Sequence, residues 1–157
     1  MRLYHASTVR VEKPDTQHSR PNLDFGLGFY LTSLRSQAEN YAERFKRRGK
    51  PAILNEYDLD DDLTGFEVKR FEAYDEEWLD YVSACRRGLP TVEHYDAVEG
   101  GVANDKVFNT VDLYFAGVIS KDEALGRLRF EKPNHQICLL SDALIESRLH
   151  FVTAEEI

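Results

Sequence analysis

Residues 20–32 constrain the fold more than any other stretch of the chain: Arg20-Pro21-Asn22-Leu23-Asp24-Phe25-Gly26-Leu27-Gly28-Phe29-Tyr30-Leu31-Thr32. Two glycines two positions apart permit positive φ or close approach of the backbone to a ligand. After Gly28 the side chains alternate in the manner of a short strand. The segment reads as a glycine turn feeding a strand that presents Tyr30 to a cleft and sends Phe29 and Leu31 into the core. A hairpin whose aromatics all serve as packing fits the same letters.

Around this stretch the chain alternates short strands with amphipathic helices. Arg2 to Ala6 reads as an opening strand, followed by a polar loop through Pro14, Asp15, His18 and Pro21. A helix is expected from Leu34, capped by Thr32 or Ser33, with Ala38, Tyr41, Ala42 and Phe45 on its core face and Gly49-Lys50-Pro51 as its stop. Ile53–Leu59 is a strand. Asp75 caps a helix whose apolar side is Trp78, Leu79, Val82 and Cys85, closed by Arg86-Arg87-Gly88. Tyr95–Val98 is a brief strand running into Gly100-Gly101. The next helix, capped by Asn104 or Asp105, carries Phe108, Val111, Tyr114 and Phe115. Ser120 and Glu123 form a capping box for a further helix. A strand at residues 136–140, a short helix from Ser141 and a strand from Leu149 to Val152 complete the chain. Helical stretches cluster in the middle and the strands are short, which favours an α+β domain over a doubly wound parallel sheet. At 157 residues, with no repeat or linker, one domain over 1–157 is expected.

Composition removes several classes of function. No apolar run approaches a membrane span, and Met1-Arg2-Leu3-Tyr4-His5 lacks a signal-peptide core, so a cytoplasmic location without membrane contact is expected. A net charge of −8 argues against a general nucleic-acid coat. The local exception is Arg44, Lys46, Arg47, Arg48 and Lys50, which either complement a helix C-terminus or contact an anionic target or a partner protein. Cys85 and Cys138 have no metal-type spacing and are expected as buried thiols. Asp60-Asp61-Asp62 lacks the ligand spacing of a calcium loop, so no metal is expected. Walker, zinc-helix and nucleophile-elbow signatures are absent.

Three polar residues stand on, or at the ends of, expected strands: His5, Tyr30 and Gln136. In that order they resemble the His-Tyr-Glu arrangement of the ADP-ribosyltransferase superfamily, on its diphtheria-toxin-like branch. More closely the chain resembles the bacterial DUF3990 family. The resemblance is carried by Leu3-Tyr4-His5-Ala6-Ser7, by Leu23 to Thr32, and by Asp75-Glu76-Glu77-Trp78-Leu79. Tyr95 to Gly100, Val102-Ala103-Asn104-Asp105 and Gln136-Ile137 add to it.

The resemblance implies a split β-sheet core with surrounding helices, NAD as substrate, and transfer of ADP-ribose to an unknown macromolecular acceptor. It also implies a toxin–antitoxin or defence setting with a cognate antitoxin as partner. By position, His5 would bond a ribose of NAD with Ser7 close by, and Tyr30 would stack on the nicotinamide. Gly26 and Gly28 would let the backbone approach the ligand, and Arg20 would meet the pyrophosphate. The third position departs from the pattern, since Gln136 stands where a Glu is usual. An amide keeps a hydrogen bond but loses negative charge opposite a developing cation, an effect on the order of 3 kcal/mol. Asp105, beside Asn104, is the candidate to restore that charge; as a helix cap it would not. Asp24 and Glu131 are lesser candidates. Two alternatives stay open: a non-catalytic module that binds NAD or ADP-ribose, and an NAD glycohydrolase.

Overall fold

The computed structural model describes residues 1–89, 94–101, 103 and 105–157, Asp105 by its backbone only. These residues form a mixed α+β structure of two sheets and five helices. The first sheet is antiparallel in the order β1 (Arg2–Ser7), β3 (Ile53–Leu59), β7 (Leu149–Glu156). The second runs β2 (Phe29–Leu31), β6 (Gln136–Leu139), β5 (Ala97–Gly100), β4 (Val68–Arg70), with the β4–β5 pair parallel and the others antiparallel. The two sheets touch edge to edge through one bridge, Tyr4 with Thr32, closed by hydrogen bonds of 2.8 and 3.0 Å.

The strand alternation explains how the layers form. Phe29 and Leu31 of β2, Ala97 of β5, and Ile137 and Leu139 of β6 pack with Leu3, Tyr57 and Leu59 of the first sheet. Helix α5 (Asp142–Arg148) closes that core with Leu144 and Ile145. The opposite face of the second sheet, bearing Tyr30, Val98 and Cys138, packs on α2 (Glu76–Arg86), α3 (Asp105–Phe115) and α4 (Lys121–Leu128). Trp78, Leu79 and Val82 are wholly buried there, each worth roughly 1.5–3 kcal/mol of transfer free energy. Helix α1 (Arg35–Arg47) covers β1 through Ala42, against Ala6 and Ala52.

The caps at Asp75, Ser120 and Ser141 are formed: each side chain accepts the backbone N–H three residues on. Both cysteines are buried thiols, and the basic residues Arg44, Lys46 and Arg47 occupy the last turn of α1.

Five expectations are corrected. Helix α1 is capped at Leu34 without a side-chain bond; Thr32 is held in the bridge to Tyr4, and the Ser33 backbone N–H and Oγ both face His135. Tyr41 lies half exposed, with the Arg44 guanidinium over its ring, because the small side chains of Ala38 and Ala42 already bring α1 close to β1. Phe108 is exposed on α3, where Val107 and Val111 supply the buried face. β5 begins two residues later than expected, since Asp96 is spent in paired bonds with the Glu67 backbone. β7 extends to Glu156 because β3 offers its whole length as a partner. The edge strand β4 carries a single apolar residue and had no periodic signal.

Candidate functional site

His5, Tyr30 and Gln136 lie on adjacent strands. β1 meets β2 at Tyr4 and Thr32, and β2 pairs with β6 through Leu31 and Ile137, one step from Gln136. His5 is tied to the Tyr30 main chain rather than to its ring: its Nδ1 lies 2.7 Å from the Tyr30 carbonyl oxygen. A carbonyl only accepts, so Nδ1 carries the proton and Nε2 keeps a lone pair. Burial holds the His5 pKa below its ordinary value of 6.5, opposed by the bond to the Tyr30 carbonyl. His5 is therefore a neutral acceptor, suited to a ligand hydroxyl.

The depressed pKa makes a sign prediction. Above about pH 6.5 both folded and unfolded chains hold the residue neutral. Below it the unfolded chain takes up a proton that the folded chain resists, so stability falls as pH falls. His5→Gln keeps a donor for the Tyr30 carbonyl and removes the titration. Denaturation midpoints should show a shallower loss from about pH 7 to about pH 5.5 in the variant than in the parent. Parallel curves would show that His5 is not the group responsible.

Tyr30 is oriented by the glycine turn before it. Its hydroxyl donates to the Gly26 carbonyl and accepts the Phe25 N–H at 3.1 Å. Burial, foremost, raises its pKa, so the phenol stays protonated. Gly26 holds φ +84°, which only glycine adopts without strain. The close approach at Gly28 is to the chain itself. A Cβ there would lie 2.5 Å from the Cys138 Sγ and 2.7 Å from the Leu139 carbonyl oxygen. The pair thus shapes the turn and seats β2 on β6; the Tyr30 ring, partly buried, packs against the core under α2–α4, on the face of β2 opposite Phe29, whose ring lies 4.4 Å from that of His5.

Gln136 and Asp24 are both buried and adjacent. Asp24 forms an ion pair with Arg86, whose Nη2 and Nε lie 2.7 and 2.8 Å from Oδ1. The other oxygen, Oδ2, accepts the Ala103 N–H at 3.1 Å and faces the Gln136 Nε2 at 3.5 Å. Arg86 also lies 3.8 Å above the ring of Phe108. Among the described residues the carboxylate beside Gln136 is that of Asp24, 112 residues away, and its partner Arg86 is one the sequence marks only as a helix end. No periodicity links Asp24 to Arg86; only the seating of α2 against the glycine turn does.

A second polar group lies at the same strand ends. His135 Nε2 is 2.6 Å from Glu99 Oε1, and Glu99 Oε2 accepts from Arg70 at 3.1 Å. On its other side His135 Nδ1 accepts the Ser33 N–H at 3.0 Å, with the Ser33 Oγ also at 3.0 Å. The letters Ser, His and Glu suggest a nucleophile relay, but the Ser33 backbone amide already takes the imidazole lone pair. The group is a pin joining the start of α1 to β5 and β6, reinforced by Gln37 Nε2 on the His135 carbonyl at 2.9 Å. His135, foremost, holds the Glu99 carboxyl below its ordinary range.

The remaining candidates are placed as follows. Ser7 ends β1, and its Oγ accepts the Val9 N–H at 3.3 Å. Arg20 is exposed in the loop before the glycine turn. Asp105 is the first residue of α3; its side chain and all of Asn104 lie outside the described residues. Glu131 sits in the loop between α4 and β6, its N–H on the Leu128 carbonyl. No group of side chains suited to a metal ion occurs among the described residues, and no helix among them is long and apolar enough to cross a membrane. An open depression of about 420 Å³ lies between the glycine turn and α2, lined by Phe25, Leu27, Tyr81 and Cys85 among others. Its described lining includes none of His5, Tyr30 or Gln136, so the strand chemistry, rather than this hollow, defines the candidate site.

A family model described as "Protein of unknown function (DUF3990)" matches residues 1–151. The chain belongs to the DUF3990 family. The match takes in β1, the glycine turn, β6 and the helices that seat Asp24 and Arg86, so the whole candidate site lies inside the DUF3990 region. No curated protein and no solved structure matches the chain.

Proposed function

We propose that this DUF3990 chain binds NAD at the junction of β1, β2 and β6 and cleaves its nicotinamide–ribose bond, passing ADP-ribose to an acceptor. The observation that carries the reading is the seam itself. His5 and Gln136 lie on the strands flanking β2, and His5 is hydrogen-bonded to the Tyr30 carbonyl. This supports the sequence resemblance to the His-Tyr-Glu ADP-ribosyltransferases, with a split-sheet core as the finer description of the fold. His5 Nε2 would accept from one ribose hydroxyl, the Tyr30 ring would lie against the nicotinamide, and Gln136 would meet the nicotinamide ribose. Nicotinamide leaves with the electron pair of the C–N bond, and an acceptor oxygen or nitrogen closes on C1″ as its proton passes to water. Asp24 lies behind the Gln136 amide, where its negative charge favours an oxocarbenium-like centre, though its pairing with Arg86 weakens that field.

The setting we infer is a toxin with a cognate antitoxin, acting in the cytoplasm on a macromolecule. A second reading follows from the same pairing: with Arg86 neutralising Asp24, that pair carries no net charge, which suits a module that binds NAD without turning it over. One experiment separates them. Purified protein with NAD should release nicotinamide, and His5→Ala should lower the rate by at least about tenfold. Binding seen by calorimetry without release selects the module. An absence of binding removes both.

A further inference from the structure

We propose that Asp24 is a positioning residue that fixes the Gln136 amide and makes an amide, rather than a carboxylate, the side chain this site requires at 136. The arrangement is independent of the ligand; only the identity of the group that Gln136 meets rests on the NAD reading.

The argument starts from what each group can do. An Asp24 carboxylate paired with Arg86 accepts hydrogen bonds and donates none. Its Oδ2 faces the Gln136 side chain at 3.5 Å, so the amide must turn its NH₂ toward it. Oε1 is then the atom turned away from Asp24, and no described residue donates to it. Gln136 therefore offers a ligand an acceptor, the same face that a carboxylate would offer, and the matching ligand group is a hydroxyl. The orientation is set from behind. Arg86 grips Oδ1 and the Ala103 N–H grips Oδ2, so Asp24 cannot swing away.

Charge makes the choice of glutamine a requirement. Asp24 and Gln136 are each 8% exposed, and the Arg86 side chain is 14% exposed. The trio holds one cation and one anion; the half-exposed Asp112 carboxylate lies 3.9 Å from the Arg86 Nη1, and Tyr30, Tyr74 and Cys85 lie close enough to Asp24 to feel its charge. A glutamate at 136 would place a second carboxylate against the first, with one guanidinium between them. Like-charged carboxyls at such a distance share a proton rather than both ionising.

The test uses the full chain with two variants, Gln136→Glu and the double variant Gln136→Glu/Asp24→Asn, followed by thermal denaturation at about pH 5.5 and about pH 8. In the single variant the carboxyl pair holds its proton to a higher pH when folded than when unfolded. Its stability relative to the parent is therefore kept at low pH and lost as pH rises. We expect its midpoint to lie on the order of 5 °C below the parent at about pH 8 and to recover most of that at about pH 5.5. The double variant restores one carboxylate and one amide beside Arg86 and should remove the pH-dependent part of the deficit. A deficit equal at both pH values, or a double variant with the same pH dependence as the single one, overturns the proposal. Calorimetry with NAD on the same proteins separates the two readings. The expected pH pattern without NAD binding in the parent supports the positioning role and removes the nucleotide reading alone.

Discussion

Replacing Arg86 by methionine is expected to destabilise the fold by about 3–5 kcal/mol, the cost of leaving one member of a buried ion pair without its partner. Arg86 and Asp24 have side chains 14% and 10% exposed, so water cannot take over the role of the guanidinium. Methionine keeps much of the length and apolar stem, which isolates the charge from the packing. The loss spreads because Asp24 also holds the Ala103 N–H and faces Gln136, linking the glycine turn, the approach to α3 and the start of β6. Urea denaturation at neutral pH would show a lower midpoint with little change in slope. A useful control is Arg35→Ala. Arg35 pairs with Glu39 and Glu155 but is 44% exposed, and solvent screens such exposed pairs so that they contribute little to stability. Equal effects for the two variants would show that Asp24 does not depend on Arg86.

The second large effect is expected at Gly28. An alanine there would set its Cβ 2.7 Å from the Leu139 carbonyl oxygen and 2.5 Å from the Cys138 Sγ. The sulfur sits in a side chain without room to move, and the oxygen belongs to the strand that β2 pairs with, so relief requires β2 and β6 to part. The expected cost is about 3 kcal/mol, at the upper end of overpacking in a core. Gly26→Ala should cost less, about 1–2 kcal/mol, because nothing crowds the position and only its φ of +84° resists a side chain. Gly126, inside α4 and open around its Cβ, should give the opposite sign: alanine there stabilises by roughly 0.5–1 kcal/mol. The order of the three midpoints by chemical denaturation is the measurement. A Gly28→Ala protein as stable as its parent would mean that β2 sits farther from β6 than described.

These glycines also show how far local sequence can be read. That Gly26 and Gly28 permit an unusual backbone is visible in the letters. What approaches Gly28 is visible only when β6, more than 100 residues later, is laid beside it. The helices from Asp75 and Ser120 were legible because a capping side chain and a 3.6-residue apolar period act within a few residues of each other. β4 was illegible for the converse reason. Val68-Lys69-Arg70 owes its strand form to parallel pairing with β5, a partner almost 30 residues away. Tyr41 and Phe108 mark the limit of periodicity. Both fall on an apolar stripe, yet among the described residues the buried apolar side chains of α1 and α3 are those of Ala38, Ala42, Val107 and Val111 beside them.

The sequence by itself determined the α+β class, most element boundaries, and a set of polar residues on three strands, because capping, turn chemistry and periodicity are short-range effects. Tertiary structure alone decided which of those residues meet. It hydrogen-bonded His5 to the Tyr30 carbonyl, turned the Tyr30 hydroxyl back onto the glycine turn, and set Asp24 between Arg86 and Gln136. The reason is physical: a buried charge or amide needs a partner within hydrogen-bond reach, and the chain is free to supply it from any distance along the sequence.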